Sequence, residues 1–308
     1  MNATLMERDT FPSAISDAKR DRPLLHINPQ IFRECFDRKP FQIGHQLVGN
    51  PLFDLSRLIR LSQTLPEANV EYNAGNIPIN MGYDSSPRNG LSAEETIRRI
   101  AECKSWMVLK YVEHDADYRA LLHECLAEVE RHSEAIRPGM CLAQGFIFVS
   151  SPGSVTPYHM DPEHNFLLQL QGSKQIHLFD ARDRTILSEE ELERHYGGAH
   201  RNLVYRDELQ TKGWRFDLKP GFGLHFPASA PHYVRNGPEV SISFSITFRT
   251  PDIERRGDAH NFNAFMRSYG IQPVPVGRRP LGDHLKCIAV RAGRKVHRVL
   301  GRSSKPKQ

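Results

Sequence analysis

The sequence predicts a mainly β chain with helices on both flanks, and three observations carry that prediction. Between Met140 and Thr250, short apolar or alternating runs are separated by Gly, Pro and Asn, as in an antiparallel barrel or sandwich. The last of these runs alternates strictly: Val240, Ile242, Phe244, Ile246 and Phe248 interleave with Ser241, Ser243, Ser245 and Thr247. A period of two excludes a helix there. Further upstream, DADYRALLHECLAEVERH places Tyr118, Leu121, Leu122, Cys125, Leu126 and Val129 on one helical stripe.

In chain order, residues 1–22 are polar, lack the layout of a signal peptide and read as a flexible leader. Residues 23–138 form an N-terminal α/β region expected to pack on the barrel. Within it, PFQIGH and SWMVLKYV look like strands. PLFDLSRLIRLSQTLP is a helix candidate with Leu55, Leu58, Ile59 and Leu61 apolar and Pro66 as its stop. LSAEETIRRIAECKS opens on a capping box, Ser92 with Glu95. Residues 139–250 carry the strands LAQGFIFVS, NFLLQLQGSKQIHLF, FGLHF, HYVRN and VSISFSITF. Residues 251–308 turn helical again around the interruption IQPVPVGRRP and end in a tail.

Composition bounds the function. At 39% hydrophobic and 25% charged residues, the chain matches soluble globular proteins. No apolar run approaches the roughly 18 residues of a membrane span, so no membrane partner is expected. The five cysteines form no CxxC pair, which favours reduced thiols and a cytoplasmic location over a disulfide framework or a zinc knuckle. Thirteen Lys or Arg against four Asp or Glu lie between Pro251 and Gln308, a local excess of +9. With +5 for the whole chain, the remainder is −4 (5 − 9). That basic segment is either a solvated helical face with a frayed tail or an arm for nucleic acid or an acidic partner.

One stretch, VTPYHMDPEHNF, carries chemistry. On a strand, His159 and Asp161 would point to one face, two-thirds of a metal site or simply two polar residues on a wet strand. Roughly one His-x-Asp triplet is expected by chance in a chain of this composition, so the company matters. Thr156 precedes the triplet, Asn165 follows four residues after Asp161, and Lys174 lies beyond Gly172. Later, GFGLHFPASAPHYV places His232 five residues after Pro227. A lysine facing a barrel interior would be costly to bury without an anion. On an edge strand it would merely blunt aggregation.

Together VTPYHMD, NFLLQLQGSK and FPASAPHYV resemble the JmjC/cupin-like Fe(II)- and 2-oxoglutarate-dependent dioxygenases. The likeness is to the branch with the asparaginyl hydroxylase that acts on hypoxia-inducible factor, and it covers about residues 145–250. It implies a double-stranded β-helix (jelly-roll) core. It further implies His159, Asp161 and His232 as the iron ligands, with His159 and Asp161 on one strand and His225 the fallback for His232. Thr156 and Lys174 would hold the distal carboxylate of 2-oxoglutarate, and Asn165 would sit near its metal-bound end. The sequence departs from the family at Pro231, where a tryptophan is common, and on the last strand, where Ser243, Ser245 and Thr247 replace an expected asparagine. Residues 188–212 read as an insertion or lid near the mouth, where substrate would be selected.

The implied activity uses O2 to hydroxylate a protein side chain or small molecule while 2-oxoglutarate becomes succinate. Aspartate rather than glutamate at the second ligand position points to hydroxylation and away from lysine demethylation. Two other classes stay open: a non-catalytic cupin-like module binding nucleic acid or an acidic partner through the basic arm, and a redox-neutral cupin isomerase. By the same analogy the C-terminal helical segment could form a homodimer.

Overall fold

Residues 22–81, 87 and 89–303 are described by the computed structural model; residues 1–21 of the expected leader and the last five of the tail lie outside them. The N-terminal half begins with β1 (Leu25–His26), α1 (Pro29–Cys35), β2 (Phe41–His45), α2 (Leu55–Thr64) and β3 (Val70–Ala74). It continues through α3 (Ala93–Arg98), β4 (Ser105–Lys110) and α4 (Ala116–Ser133). Then come β5 (Cys141–Ser150), β6 (Val155–His159), β7 (His164–Gln171) and β8 (Lys174–Leu178), followed by α5 (Glu189–Tyr196). The last strands are β9 (Trp214–Leu218), β10 (Phe222–Phe226), β11 (His232–Asn236) and β12 (Ser241–Arg249). Two helices, α6 (Pro251–Ser268) and α7 (Pro280–Ser303), complete the described chain.

Local chemistry explains the starts and stops. Asn28 caps α1 through its side chain, with proline at the first helical position. Ser92 and Glu95 form the expected capping box at α3. Asp115 caps α4, whose stripe from Tyr118 to Val129 is buried. β7 and β8, read together in NFLLQLQGSKQIHLF, are separate strands because Gly172 turns the chain at φ +65. A Cβ at Gly172 would lie 2.4 Å from the Val240 carbonyl oxygen, so only glycine fits. The pattern missed β9, whose first four residues alternate between intermediate and exposed before buried Leu218, and the short α1 and α5.

Two antiparallel sheets result, a mainly β core with flanking helices, in agreement with the jelly-roll expectation. The larger runs β1-β2-β10-β7-β12-β5-β4-β3 and the smaller β6-β11-β8-β9. The strands of the N-terminal half are thus members of the large sheet. Cross-strand register assigns its two faces. Phe244, Ile246, Ile147, Val149, Met107 and Leu109 pack with Tyr118, Leu122 and Leu126 of α4 in the main apolar core. Ser243 pairs with Gln169 and Phe148, and Ser245 with Leu167 and Phe146, on the opposite face. There Leu167, Leu224 and Phe226 meet Ile176, Leu178 and Val234 of the small sheet in a second cluster. The interior of the jelly roll therefore takes the serine face of β12, and the helices take its Ile/Phe face.

The described residues divide into two compact units. One, the described residues up to 181 together with 202–250, holds both sheets and the N-terminal helices. The other comprises residues 182–201 and the described residues from 251 onward. Residues 188–212, expected as one insertion, are split: α5 belongs with α6 and α7, and the stretch from Asn202 returns to the sheets. Within the helical unit, the Arg267 guanidinium pairs with buried Glu193 at 2.6 Å, and Arg291 and Arg294 pair with Asp258 at 2.7 and 2.6 Å. Gly257 lets the Tyr196 ring close in, since a Cβ there would stand 2.9 Å from it. Among the described residues no helix is long and apolar enough to cross a membrane, and no disulfide joins the cysteines.

Candidate metal centre

β6 and β11 pair His159 directly with His232, and a register shift follows before Val234 pairs with Thr156. Such a bulge re-aims side chains. Here the two imidazoles lie with ring centroids 4.1 Å apart. Asp161 is not on the strand with His159: β6 ends at His159, and Asp161 lies in the link to β7. The carboxylate nevertheless comes within 3.4 Å of His159 Nε2 and 3.8 Å of His232 Nε2. One ligand atom from each of the three residues lies within 4.8 Å of the others, a geometry that can hold a metal ion. The backbone of Asp161 is tied down by the Ser229 N–H, which donates to its carbonyl oxygen at 2.8 Å.

Hydrogen bonding sets the tautomers. His159 Nδ1–H donates to the Pro157 carbonyl at 2.7 Å and His232 Nδ1–H to the Ala230 carbonyl at 2.9 Å. A carbonyl oxygen only accepts, so each imidazole carries a proton on Nδ1 and presents Nε2 towards the Asp161 carboxylate. Both histidines are buried, whereas the Asp161 side chain is one-quarter exposed. Two imidazoles and one carboxylate with an open side suit a divalent ion such as iron that keeps free coordination positions. Two residues beyond Asp161, the Glu163 carboxyl is pushed up by burial, against the pull of Arg249 at 2.6 Å.

His225 does not compete for the metal. Its ring is fully buried on the helix-facing side of the large sheet, stacked on Phe166 and Phe36 at 4.7 and 5.1 Å. The parity that sets its neighbours Leu224 and Phe226 inward sends His225 the other way.

Lys174 is the first residue of β8 and pairs with Asn236; Ile176, two residues on, pairs with Val234. Since Ile176 and Val234 belong to the inner cluster, Lys174 and Asn236 face the interior as well. β8 lies between β11 and β9, so Lys174 is not an edge-strand lysine. It is 5% exposed and makes no ion pair or side-chain hydrogen bond among the described residues. Burial alone pulls its pKa down from 10.5 to about 7. An ammonium so placed is complete only with an anion beside it.

Thr156 pairs with Val234, between the row of the histidines and that of Lys174. Asn165 pairs with Thr247 and Phe226 on the inner face of the large sheet. The Ser245 hydroxyl donates to Asn165 Oδ1 at 2.8 Å, which turns the amide N–H2 outward as a donor. Ser243 donates to Gln169 Oε1 at 2.7 Å, and Gln169 in turn donates to Ser241 Oγ at 3.0 Å. The hydroxyls that replace the expected asparagine thus orient amides on the neighbouring strand. Sequence reasoning missed Asn236, whose Oδ1 is buried without a partner, and Trp106, whose Nε1 is likewise unpaired. Neither lies in a motif.

A jelly-roll core with two histidines on paired strands and a carboxylate from the adjoining link defines the class of site. The model of the cupin-like domain family matches residues 67–255, more than half of the chain, and this chain belongs to that family. Among curated proteins, the Jumonji C domain-containing protein 5 of Drosophila melanogaster is 34% identical over 99 residues. That match takes in 30% of this chain and 25% of the relative, so the chain spans only a quarter of the relative's length. Among solved structures, Escherichia coli YcfD aligns over 87% of this chain and 68% of its own, at 17% identity and a TM-score of 0.47. The structure described as the YcfD ribosomal oxygenase with cobalt and 2-oxoglutarate aligns over 88% and 68%, at 16% identity and a TM-score of 0.44.

Proposed function

We propose that this protein is an Fe(II)- and 2-oxoglutarate-dependent oxygenase that hydroxylates a protein side chain or a small molecule and releases succinate. The observation that carries the reading is the pairing of a metal-competent triad with an unpaired, buried lysine on the same inner face. His159, Asp161 and His232 would hold the iron. Lys174 and Thr156 would bind the distal carboxylate of 2-oxoglutarate, and the Asn165 amide would donate near its keto-acid end. Iron bound there would supply the redox chemistry that couples O2 reduction and decarboxylation of 2-oxoglutarate to substrate oxidation.

The chain's own contribution is placement. The Pro157 and Ala230 carbonyls each accept the Nδ1 proton of a ligand imidazole and so turn Nε2 towards the metal position. The apolar cluster around Ile176, Leu224 and Val234 keeps bulk water from the cosubstrate. A location in the cytoplasm and a domain plan with the catalytic barrel at residues 139–250 go with this reading. The basic segment from 251 onward would then serve self-association or partner docking rather than chemistry. Anaerobic titration with Fe(II) and 2-oxoglutarate tests the proposal. Wild type should develop the visible charge-transfer band of a chelated keto acid and, on admission of air, form succinate; His232→Ala should do neither. A folded wild type that shows no band and makes no succinate would overturn it.

A further inference from the structure

On the side of α7 that meets α6, Cys287 is buried with its Sγ donating to the Arg255 carbonyl at 3.1 Å, and Arg294 reaches Asp258. Leu281, Leu285, Ile288 and Val296 are instead exposed, Leu281 by 84% and Leu285 by 66%, and Ala292 is exposed among them. At about 100° per residue, Leu281, Leu285, Ile288 and Ala292 fall within roughly 60° of one another, across the helix from Cys287 and Arg294. A lone exposed leucine is ordinary, but a contiguous apolar row marks a surface that meets something.

The steps of four, three and four residues along that row are those of a heptad seam. Three residues further on, the next seam position holds exposed Lys295, and His284 and Arg291 form an exposed rim along the same side. α7 as a whole carries six Lys or Arg against one Asp. These charges decide what can lie on the row. Two copies of α7 in parallel register would set Lys295 against Lys295, and in antiparallel register their Arg291 rims would run side by side. Like charges so placed oppose association. A helix with carboxylates opposite these positions meets attraction instead.

We infer that α7 is a docking seam for an acidic amphipathic helix of a partner protein. The partner's apolar row covers Leu281, Leu285, Ile288 and Ala292, and its carboxylates face Arg291 and Lys295. Burial of the apolar rows supplies the affinity, while the charge pairs fix register and select the partner. The inference stands on the helical unit alone and does not depend on the oxygenase reading.

The probe is a synthetic fluorescein-labelled peptide of about three heptads, with leucine at both seam positions and glutamate on both rims, so that it repels itself. A counterpart carries lysine on the rims. In fluorescence anisotropy the full-length chain should bind the acidic peptide and not the basic one. Leu285→Glu combined with Ile288→Glu should weaken that binding at least about tenfold. Both positions are exposed, so the thermal melt should stay at the wild-type value. Lys295→Glu should weaken the acidic peptide and strengthen the basic one, a reversal that damage to the helix would not produce. No binding of the acidic peptide, equal binding of both peptides, or indifference to the double substitution would overturn the inference. So would sedimentation that shows wild type dimeric and the double variant monomeric, which assigns the row to a second copy. Retention of wild type but not of the double variant on phosphatidylserine vesicles, with no binding of the acidic peptide, would overturn it in favour of a lipid surface.

Discussion

Lys174→Met tests the proposed role of this lysine through stability as well as binding. In the ligand-free protein the ammonium is buried without a partner, and its pKa falls from 10.5 to about 7. The unfolded chain binds that proton up to its ordinary pKa and the folded chain does not. The folded state is therefore penalised increasingly as pH falls from about 10.5 to about 7, and by a constant amount below. The full penalty is on the order of 5 kcal/mol, at about 1.4 kcal/mol for each tenfold change in proton affinity. Methionine has a similar length and no charge to desolvate, so the metal-free variant should be more stable at pH 7 by about 3–5 kcal/mol. For a chain of this size that corresponds to roughly 10 °C in Tm. The difference between variant and wild type should shrink as pH rises towards 10.5. Saturating 2-oxoglutarate with Mn(II), at about a hundred times Kd, should add about 2.7 kcal/mol to wild type and close to nothing to the variant. Thermal melts across pH, with and without ligand, read all of this. A variant less stable than wild type at pH 7, or one stabilised by 2-oxoglutarate to the same degree, would refute the reasoning.

Two further outcomes follow from single residues. His225 is fully buried with no partner for Nε2, and burial followed by the neighbouring His164 holds its pKa well below 6.5. His225→Phe should bind Mn(II) like wild type in calorimetry and lose less stability as pH falls below 6.5, where only the unfolded wild-type chain takes up the proton; lost Mn(II) binding would restore His225 as a ligand. Ser245→Ala removes the hydroxyl that orients Asn165, so 2-oxoglutarate affinity should fall roughly two- to tenfold with Mn(II) affinity unchanged, and equal 2-oxoglutarate affinity would show that the amide needs no such support.

Much of the architecture was written locally. The helical stripe from Tyr118 to Val129 and the alternation of β12 are periodicities of neighbouring residues, so the elements could be read without knowing their partners. The triad was readable because its members sit in two short motifs whose spacing the chemistry constrains. What alternation could not say is which face of β12 turns inward. Both faces are buried: Ser241, Ser243 and Ser245 are as enclosed as Ile242, Phe244 and Ile246. Helices supplied by the first half of the chain claim the apolar face and leave the hydroxyls to line the site. That choice depends on pairing between strands far apart in sequence, and no local pattern encodes it.

The same limit explains the remaining differences. The two-residue spacing of His159 and Asp161 suggested one strand, but the strand ends between them and the carboxylate reaches the histidines from a link anchored by Ser229. His225 looked like a reserve ligand until strand parity placed it behind the sheet. Trp106 and Asn236 carry no motif, and their unpaired atoms become visible only when two sheets enclose them. Periodicity and spacing are local properties, so the kinds of element and the motifs that carry His159, Asp161 and His232 could be read from the chain alone. Tertiary structure alone decided which polar groups share an interior and lack partners, because burial and hydrogen-bond satisfaction belong to the whole fold.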